Sequence, residues 1–469
     1  MSGARLGGVT LFAFATLIIG YALQLNNGLY GRSALALLIV AIGSAGAALA
    51  GPRWLVSQRS ALSAPGWLTV VMLVGLAADL TILSRMPPGL YLRRPSPSDH
   101  PFLLGALAAA ALVVGLVAAD RARARRLWFP ALLLTAGALG LWMIDASPKP
   151  WIDVMTVHRV ALGALRAGEN PYAVTFPNIY RDEAFYGPDM VANDQVMFGL
   201  PYPPLSLLMA LPGELLFGDI RYAELGALLV GAALIGYAAP TRDERSIVGP
   251  LAAALLLFTP RGLFVLEQGW TEAFAVCWLG ATVFAACRAP RALPWMLALL
   301  VSVKQHMLLA APLALLLLPR PLRWRDVRRL LTPSVVVPLL LALPFLIWDA
   351  GAFLRSVVWL QWREPFRRDA LSVLSALADA GWSLERDSVV TLIAPLVALA
   401  GGGFVTWRWA PRSPVGFAAG LGFTLLLLFA GSKKAFCNYY YFVMACFCAA
   451  IAVSGHASRP KDSHEGHEP

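Results

Sequence analysis

The stretch LWFPALLLTAGALGLWMIDASPKPWIDVMTVHRVALGALRAGENPY, residues 127–172, reads in two halves. From 127 to 144 it carries no charge and is close to the roughly 20 apolar residues a helix needs to cross the hydrocarbon core of a bilayer. From about 152 to 166 the pattern changes: Ile152, Met155, Val160, Leu162 and Leu165 are interleaved with Asp153, His158, Arg159 and Arg166. That spacing predicts an amphipathic helix lying against a membrane face. Gly168 supplies its C-terminal stop and Pro171 prevents continuation. A membrane span therefore delivers the chain to a structured surface connection.

The rest of the chain extends the first half. Of its 469 residues 58% are hydrophobic and only 14% are charged, with a mean hydropathy of +0.65; soluble domains carry about 25% charged residues. Apolar runs lie near 7–25, 33–50, 66–84, 102–119, 127–144, 203–218, 223–239, 248–259, 263–287, 294–318, 333–348, 389–407, 414–430 and 438–454. They predict an all-α, polytopic transmembrane bundle of about 12 to 14 helices, some too short to span alone. Barrel strands would alternate over about ten residues, and these runs do not. The net charge of +11 would suit a nucleic-acid partner in a soluble protein. Here the positive-inside bias of membrane loops explains it, and no nucleic acid is expected. Cys277, Cys287, Cys437, Cys446 and Cys448 lie in or beside apolar runs without metal-ligand spacing and read as packing residues. The first run, followed by many others and not closed by a cleavage-type site, reads as a retained anchor.

Arginines orient the bundle. Arg121, Arg123, Arg125 and Arg126 precede the 127–144 run; Arg320, Arg323, Arg325, Arg328 and Arg329 precede the 333–348 run. Clusters of this density mark the cytoplasm, so both spans run outward and the connections after them, about 146–200 and 349–387, are long extracytoplasmic loops. Loops of such length without obvious secondary structure are usually functional or disordered, and their richness in Trp, Tyr, Arg and Asp favours function. The division that follows is a four-span N-terminal region over 1–120, a main module over 121–455 and a disordered cytoplasmic tail over 456–469. Asp79, within the third run, is expected to pair with Arg85. The 294–318 run either crosses once or is a broken, re-entrant pair with Lys304 near its tip. Both place Lys304, Gln305 and His306 deep in the bundle, where a lysine costs roughly 2.5 to 3.5 kcal/mol.

An acidic residue just outside a span, an amphipathic helix, G-x-N-P-Y ending at Tyr172 and then Y-P-P-L at 202–205 together resemble the integral-membrane GT-C glycosyltransferases. The nearest resemblance is to the bacterial polyprenol-phosphate-mannose-dependent mannosyltransferases, over about residues 127–454. Residues 1–120 have no counterpart in that pattern. The resemblance implies transfer of a sugar, mannose or a related one, from a polyprenyl-phosphate carrier to a glycolipid, glycan or protein acceptor at the extracytoplasmic face of the plasma membrane. Asp153 becomes the catalytic base, with an N-cap or solvated role as the structural alternative and Asp145 as the fallback carboxylate. The chemistry asks for a base because the incoming hydroxyl must lose its proton, a contribution of about 10²- to 10⁴-fold.

The departing phosphate is a stable anion that needs cations more than an acid. Lys304, in V-S-V-K-Q-H-M-L-L, resembles the family's intramembrane lysine; pairing with Glu267 or Glu272 is the alternative. His306 and Gln268 would shape a polar cavity, the Gln268-Gly269 step resembling an inverted G-Q. His158 is a candidate acceptor or phosphate contact. Arg367 and Arg368, in the aromatic stretch from Trp359 to Ser372, would grip phosphate oxygens with their forks. Lys434 and Tyr439, in S-K-K-A-F-C-N-Y-Y-Y, could reach the same phosphate. No metal or other cofactor is expected, since a monophosphate donor facing several cationic side chains requires none. A secondary transporter or lipid flippase would also show many spans and intramembrane charges, and a non-catalytic assembly subunit would be indifferent to Asp153.

Overall fold

The computed structural model describes residues 6–50, 65–93, 99–120, 123–187, 190–239, 247–386 and 388–454. Arg121 and the tail expected over 456–469 lie outside the described residues. The described chain is mainly helical: α1 (Leu6–Asn26), α2 (Arg32–Ala50), α3 (Pro65–Arg85), α4 (His100–Ala118) and α5 (Phe129–Ala146) are followed by the loop helix α6 (Asp153–Arg166). Then come α7 (Pro204–Phe217), α8 (Arg221–Tyr237), α9 (Val248–Leu257), α10 (Gly262–Glu267), α11 (Glu272–Arg288) and α12 (Leu293–Val303). The last five are α13 (Trp324–Leu354), α14 (Val373–Asp379), α15 (Val389–Trp409), α16 (Pro414–Ala430) and α17 (Cys437–Ala452). Among the described residues seven helices are long and apolar enough to cross a membrane, or eight if α7 and α8, bent by 120°, count as one span. The chain is thus an all-α, multi-pass membrane protein.

Local chemistry sets the ends. Pro101, Pro130, Pro204, Pro294 and Pro414 sit in first turns, where a missing N–H costs nothing and the fixed φ already suits a helix. Gly168, at φ +77°, closes α6: its N–H reaches the Leu165 carbonyl and that of Glu169 reaches Ala164, the paired bonds of a Schellman stop. At the centre, every residue of α17 except Tyr439 is buried, as expected of a helix apolar on all sides. It packs against α1, α9, α11 and α16.

Three expectations change. The run 333–348 does not end in a loop at 349. Asp349 leaves helical geometry (φ −158°, ψ 94°) and its Oδ1 accepts the Ala352 N–H at 2.8 Å, so it caps a second helical segment that continues to Arg363. The apolar face of α6 is covered by protein: Val154, Met155, Val157, Ala161 and Leu162 are buried, and the helix packs on α7 and the short strand at Phe176–Pro177. Asp79 is buried, but no ion pair joins it to Arg85 among the described residues; six positions at 100° each put the two side chains on different faces of α3.

Between α6 and α7 a small antiparallel sheet forms that the apolar pattern did not signal. Its strands β1 (Phe176–Pro177), β2 (Val191–Ala192) and β3 (Gln195–Val196) pair in the order β1-β3-β2. Asn193 and Asp194, at φ 51° and 60°, make the β2–β3 turn, the type I′ geometry that favours Asn and Asp.

Candidate functional site

Asp153 is the first residue of α6, and Ile152 occupies the cap position without a side-chain capping bond. The carboxylate meets the first turn of its own helix at the Val154 N–H and the loop beyond it at Tyr186. Its Oδ2 accepts the Tyr186 hydroxyl at 3.3 Å, while its backbone N–H donates to the Tyr180 oxygen at 3.2 Å. Surrounding protein raises the Asp153 carboxyl above its ordinary value; the ammonium of Lys434, the Val154 N–H and the Tyr186 hydroxyl oppose that, and the nearby Glu364 adds to it. Burial and Asp153 itself hold the phenols of Tyr180 and Tyr186 well above their usual value, so both stay protonated and can donate.

His158 lies one turn further along α6 and is fully buried. Its Nδ1 lies 2.9 Å from the Val154 carbonyl, which assigns the proton to that nitrogen and leaves Nε2, buried and without a partner among the described residues, as an acceptor. Burial and, secondarily, Lys304 push its pKa down to about 4. Its ring stacks on Tyr202 at 5.2 Å.

Lys304 stands where α12 breaks. The helix ends at Val303, Lys304 is extended (φ −155°, ψ 148°), and a 3-10 turn takes over at Gln305–Leu309. Gln305 pins the break, donating to the Pro201 carbonyl at 2.6 Å and that of Val357 at 3.2 Å. The ammonium sits between the rings of Tyr202 and Tyr439, 5.5 and 5.6 Å from their centroids. It pairs with Glu272 Oε1, which also accepts Asn438 Nδ2 at 2.9 Å. The ion pair considered for this lysine is thus present, with Glu272 and not Glu267 as partner. Glu272 Oε2 is buried with no partner among the described residues. His306 follows, its ring 5.3 Å from Phe429 and 5.7 Å from Tyr439.

Lys434 completes the group beside Asp153, bonded to Glu364 at 2.7 Å. Asp153, His158, Lys304, His306, Lys434 and Tyr439 thereby form one polar cluster, Lys434 and Tyr439 standing near Asp153, Lys304 near His158, and Tyr439 against both Lys304 and His306; Asp153 lies on the first long connection and Glu364, the partner of Lys434, on the second. Arg367 lies at its edge, with Phe185 and Phe436 facing its guanidinium at 4.1 and 5.1 Å. Its fork is occupied by Asp369 at 2.8 and 2.7 Å. Arg368 is exposed, with no ion pair or hydrogen bond recorded for its side chain among the described residues. Gln268 is turned elsewhere: its amide donates to Glu267 at 3.2 Å, and Gly269, at φ +61°, makes the turn from α10 to α11. Asp145 is exposed at the end of α5.

Glu272 was one of the two partners expected for Lys304, but other participants escaped the sequence pattern. Asn438 opens an apolar run, and Glu364 sits among arginines that drew attention to themselves. Arg221 is fully buried in α8, clamped by Asp219 at 2.6 Å and donating to the Ser147 carbonyl at 2.7 Å. Arg221 lies in the short break between the 203–218 and 223–239 runs, so it carried no signal like that of Lys304, a charge inside an apolar run. Among the described residues no group of three or more His, Cys, Asp or Glu side chains is placed to hold a metal ion.

Fold and cluster together define a multi-pass helical membrane protein with an acid and two lysines at one end. Compared with protein-family models, curated proteins and solved structures, the chain matches none of them.

Proposed function

We propose that the chain is a GT-C-type membrane glycosyltransferase, with about 12 to 14 helices when its shorter apolar elements are counted. It transfers a sugar, mannose or a related hexose or pentose, from polyprenyl phosphate to a glycolipid, glycan or protein acceptor. The cluster faces the extracytoplasmic side of the plasma membrane, opposite the arginine-rich connections. The observation that carries this reading is the convergence of Asp153 with Lys304 and Lys434, two cations from distant parts of the chain. In this mechanism Asp153 takes the proton of the acceptor hydroxyl as its oxygen bonds to the anomeric carbon. The bond from that carbon to the phosphate oxygen breaks, and the electron pair leaves on a phosphate held by Lys304 and Lys434. Both lysines are ion-paired here, so a lipid phosphate exchanges for Glu272 and Glu364 as it docks. His158, neutral at physiological pH, accepts a hydrogen bond from a sugar hydroxyl at Nε2.

The test is transfer of labelled sugar from a panel of polyprenyl-phosphate donors by membranes carrying wild type or Asp153→Asn at equal expression. Loss of about 10²- to 10⁴-fold is expected for a missing general base; undiminished transfer by the variant removes Asp153 from that role. One observation favours a second reading, a transporter: Glu224 is fully buried in α8 and neither of its oxygens has a hydrogen-bond partner among the described residues. Solute uptake without transfer from any donor would select it.

A further inference from the structure

Residues 1–50 had no role in the functional pattern, yet the turn between α1 and α2 reaches the cluster's second loop. Leu29 forms an antiparallel bridge with Ala370, and the Tyr30 N–H donates to the Asp369 carbonyl at 2.8 Å. On its other side the same loop segment is bonded to the chain just before α17: the Arg367 N–H donates to the Lys433 carbonyl at 3.0 Å and that of Leu371 to Ala435 at 2.9 Å. Three backbone segments, 29–30, 367–371 and 433–435, therefore lie side by side, and Lys434 is on the third.

Two further contacts lock the arrangement. Asp379, at the end of α14, accepts from Arg32 Nε at 2.9 Å and from the Tyr30 hydroxyl at 3.2 Å. Gly28, at φ +76°, leaves no room for a side chain, since a Cβ there would lie 2.6 Å from the Cα of Cys437, the first residue of α17. Asn438 and Tyr439, which touch Glu272 and Lys304, come next in that helix.

We propose that the α1–α2 turn, Asn27–Arg32, is a positioning element of the site: through the Asp369–Ala370 backbone and the start of α17 it sets where Lys434, Asn438 and Tyr439 stand relative to Asp153. The N-terminal hairpin is then part of the catalytic apparatus and not an added anchor. The inference rests on the transfer reading for its kinetic consequence alone; the mechanical claim stands on the backbone bonds.

The test uses the full chain in lipid nanodiscs and reads two quantities, amide hydrogen exchange at Tyr30 and over 366–372, whose N–H groups donate the joining bonds, and the kinetics of sugar transfer. Gly28→Ala is expected to speed exchange at these amides by about tenfold or more and to lower kcat by a similar factor, with the donor KM changed less than about threefold. Arg32→Asp and Asp379→Arg are each expected to loosen the loop, and the two together to restore exchange and kcat. This swap pair carries the test if Gly28→Ala does not assemble. Unchanged exchange in all variants, or faster exchange with kcat unmoved, overturns the proposal. A wild type that transfers from no donor defeats the transfer reading, while exchange still decides whether the turn holds the loop.

Discussion

Asp153 has a surface partly open and an environment of opposed influences: burial and Glu364 favour its protonated form, Lys434 and Tyr186 its charged form. On the proposed transfer reading Asp153 works as a base only when ionised, so transfer is expected to rise with pH through the Asp153 titration, above the ordinary aspartate range. Removing a neighbour moves that limb in a direction set by its charge. Lys434→Gln takes away a stabilising cation and is expected to shift the acidic limb of kcat/KM to higher pH; Glu364→Gln takes away a repelling anion and is expected to shift it lower. A pH profile of transfer from pH 4 to 8 checks both, and shifts in one common direction would mean that these side chains do not act on Asp153 electrostatically. Lys304 and Glu272 form a buried pair of a different kind. Lys304→Met alone strands a carboxylate and is expected to cost about 3 to 5 kcal/mol of stability, whereas Lys304→Met with Glu272→Leu recovers most of it. Thermal unfolding in detergent measures the difference, and transfer is expected to stay lost in the double variant.

At the scale of elements, the segment Asn170-Pro171-Tyr172 is a structural joint. Asn170 Oδ1 accepts the Tyr172 N–H at 3.0 Å, folding the chain back as an Asx turn. The Tyr172 ring is wedged against Phe345 and Phe353, at 5.1 and 4.8 Å, and its hydroxyl donates to the Tyr202 carbonyl at 3.0 Å. Ser356 accepts the Gly199 N–H at 3.0 Å and donates to the Tyr172 carbonyl at 3.2 Å. The first loop is thereby bound to the far end of α13 and to Tyr202, the ring beneath Lys304. Tyr172→Ala is expected to lose about 3 to 5 kcal/mol, as large aromatic deletions do. Tyr172→Phe, which only orphans the Tyr202 carbonyl, is expected to lose about 1 to 3. A melting series on the two variants reads this, and equal losses would place the joint in the hydroxyl alone.

For the molecule as a whole, contacts among connections decide sidedness. The α3–α4 connection donates the Leu90 and Tyr91 N–H groups to Glu267 at 2.7 and 2.8 Å, and the Tyr91 hydroxyl to the Trp151 carbonyl at 3.0 Å. With the α1–α2 turn on the second loop, all these connections share one end. The apolar stretches 124–146 and 324–363 each run to that end, starting from the opposite one. Single cysteines at Leu90, Trp151 and Trp382, in a background freed of native cysteines, are therefore expected to react with an impermeant thiol reagent from one side. Cysteines at Arg126 and Trp324 are expected to react from the other. Labelling of Leu90 and Trp324 from the same side would contradict this fold.

The membrane class, most helix positions, the loop helix with its Gly168 stop, and Asp153, His158 and Lys304 as unusual residues were legible from local pattern, because hydropathy, helical periodicity and backbone stops act over a few neighbouring residues. Ion partners were legible only in part: Glu272 stood beside Glu267 as a candidate for Lys304, but Lys434 meets Glu364 and Asn438 meets Glu272 across 70 and 166 residues of chain, and nothing local encodes such a meeting. Tertiary structure also decided that Asp349 restarts a helix, that Gln268 serves Glu267, and that the N-terminal hairpin touches the second loop. Burial explains the division: a charge in an apolar run announces that it needs a partner, but only the folded bundle determines which one is within reach.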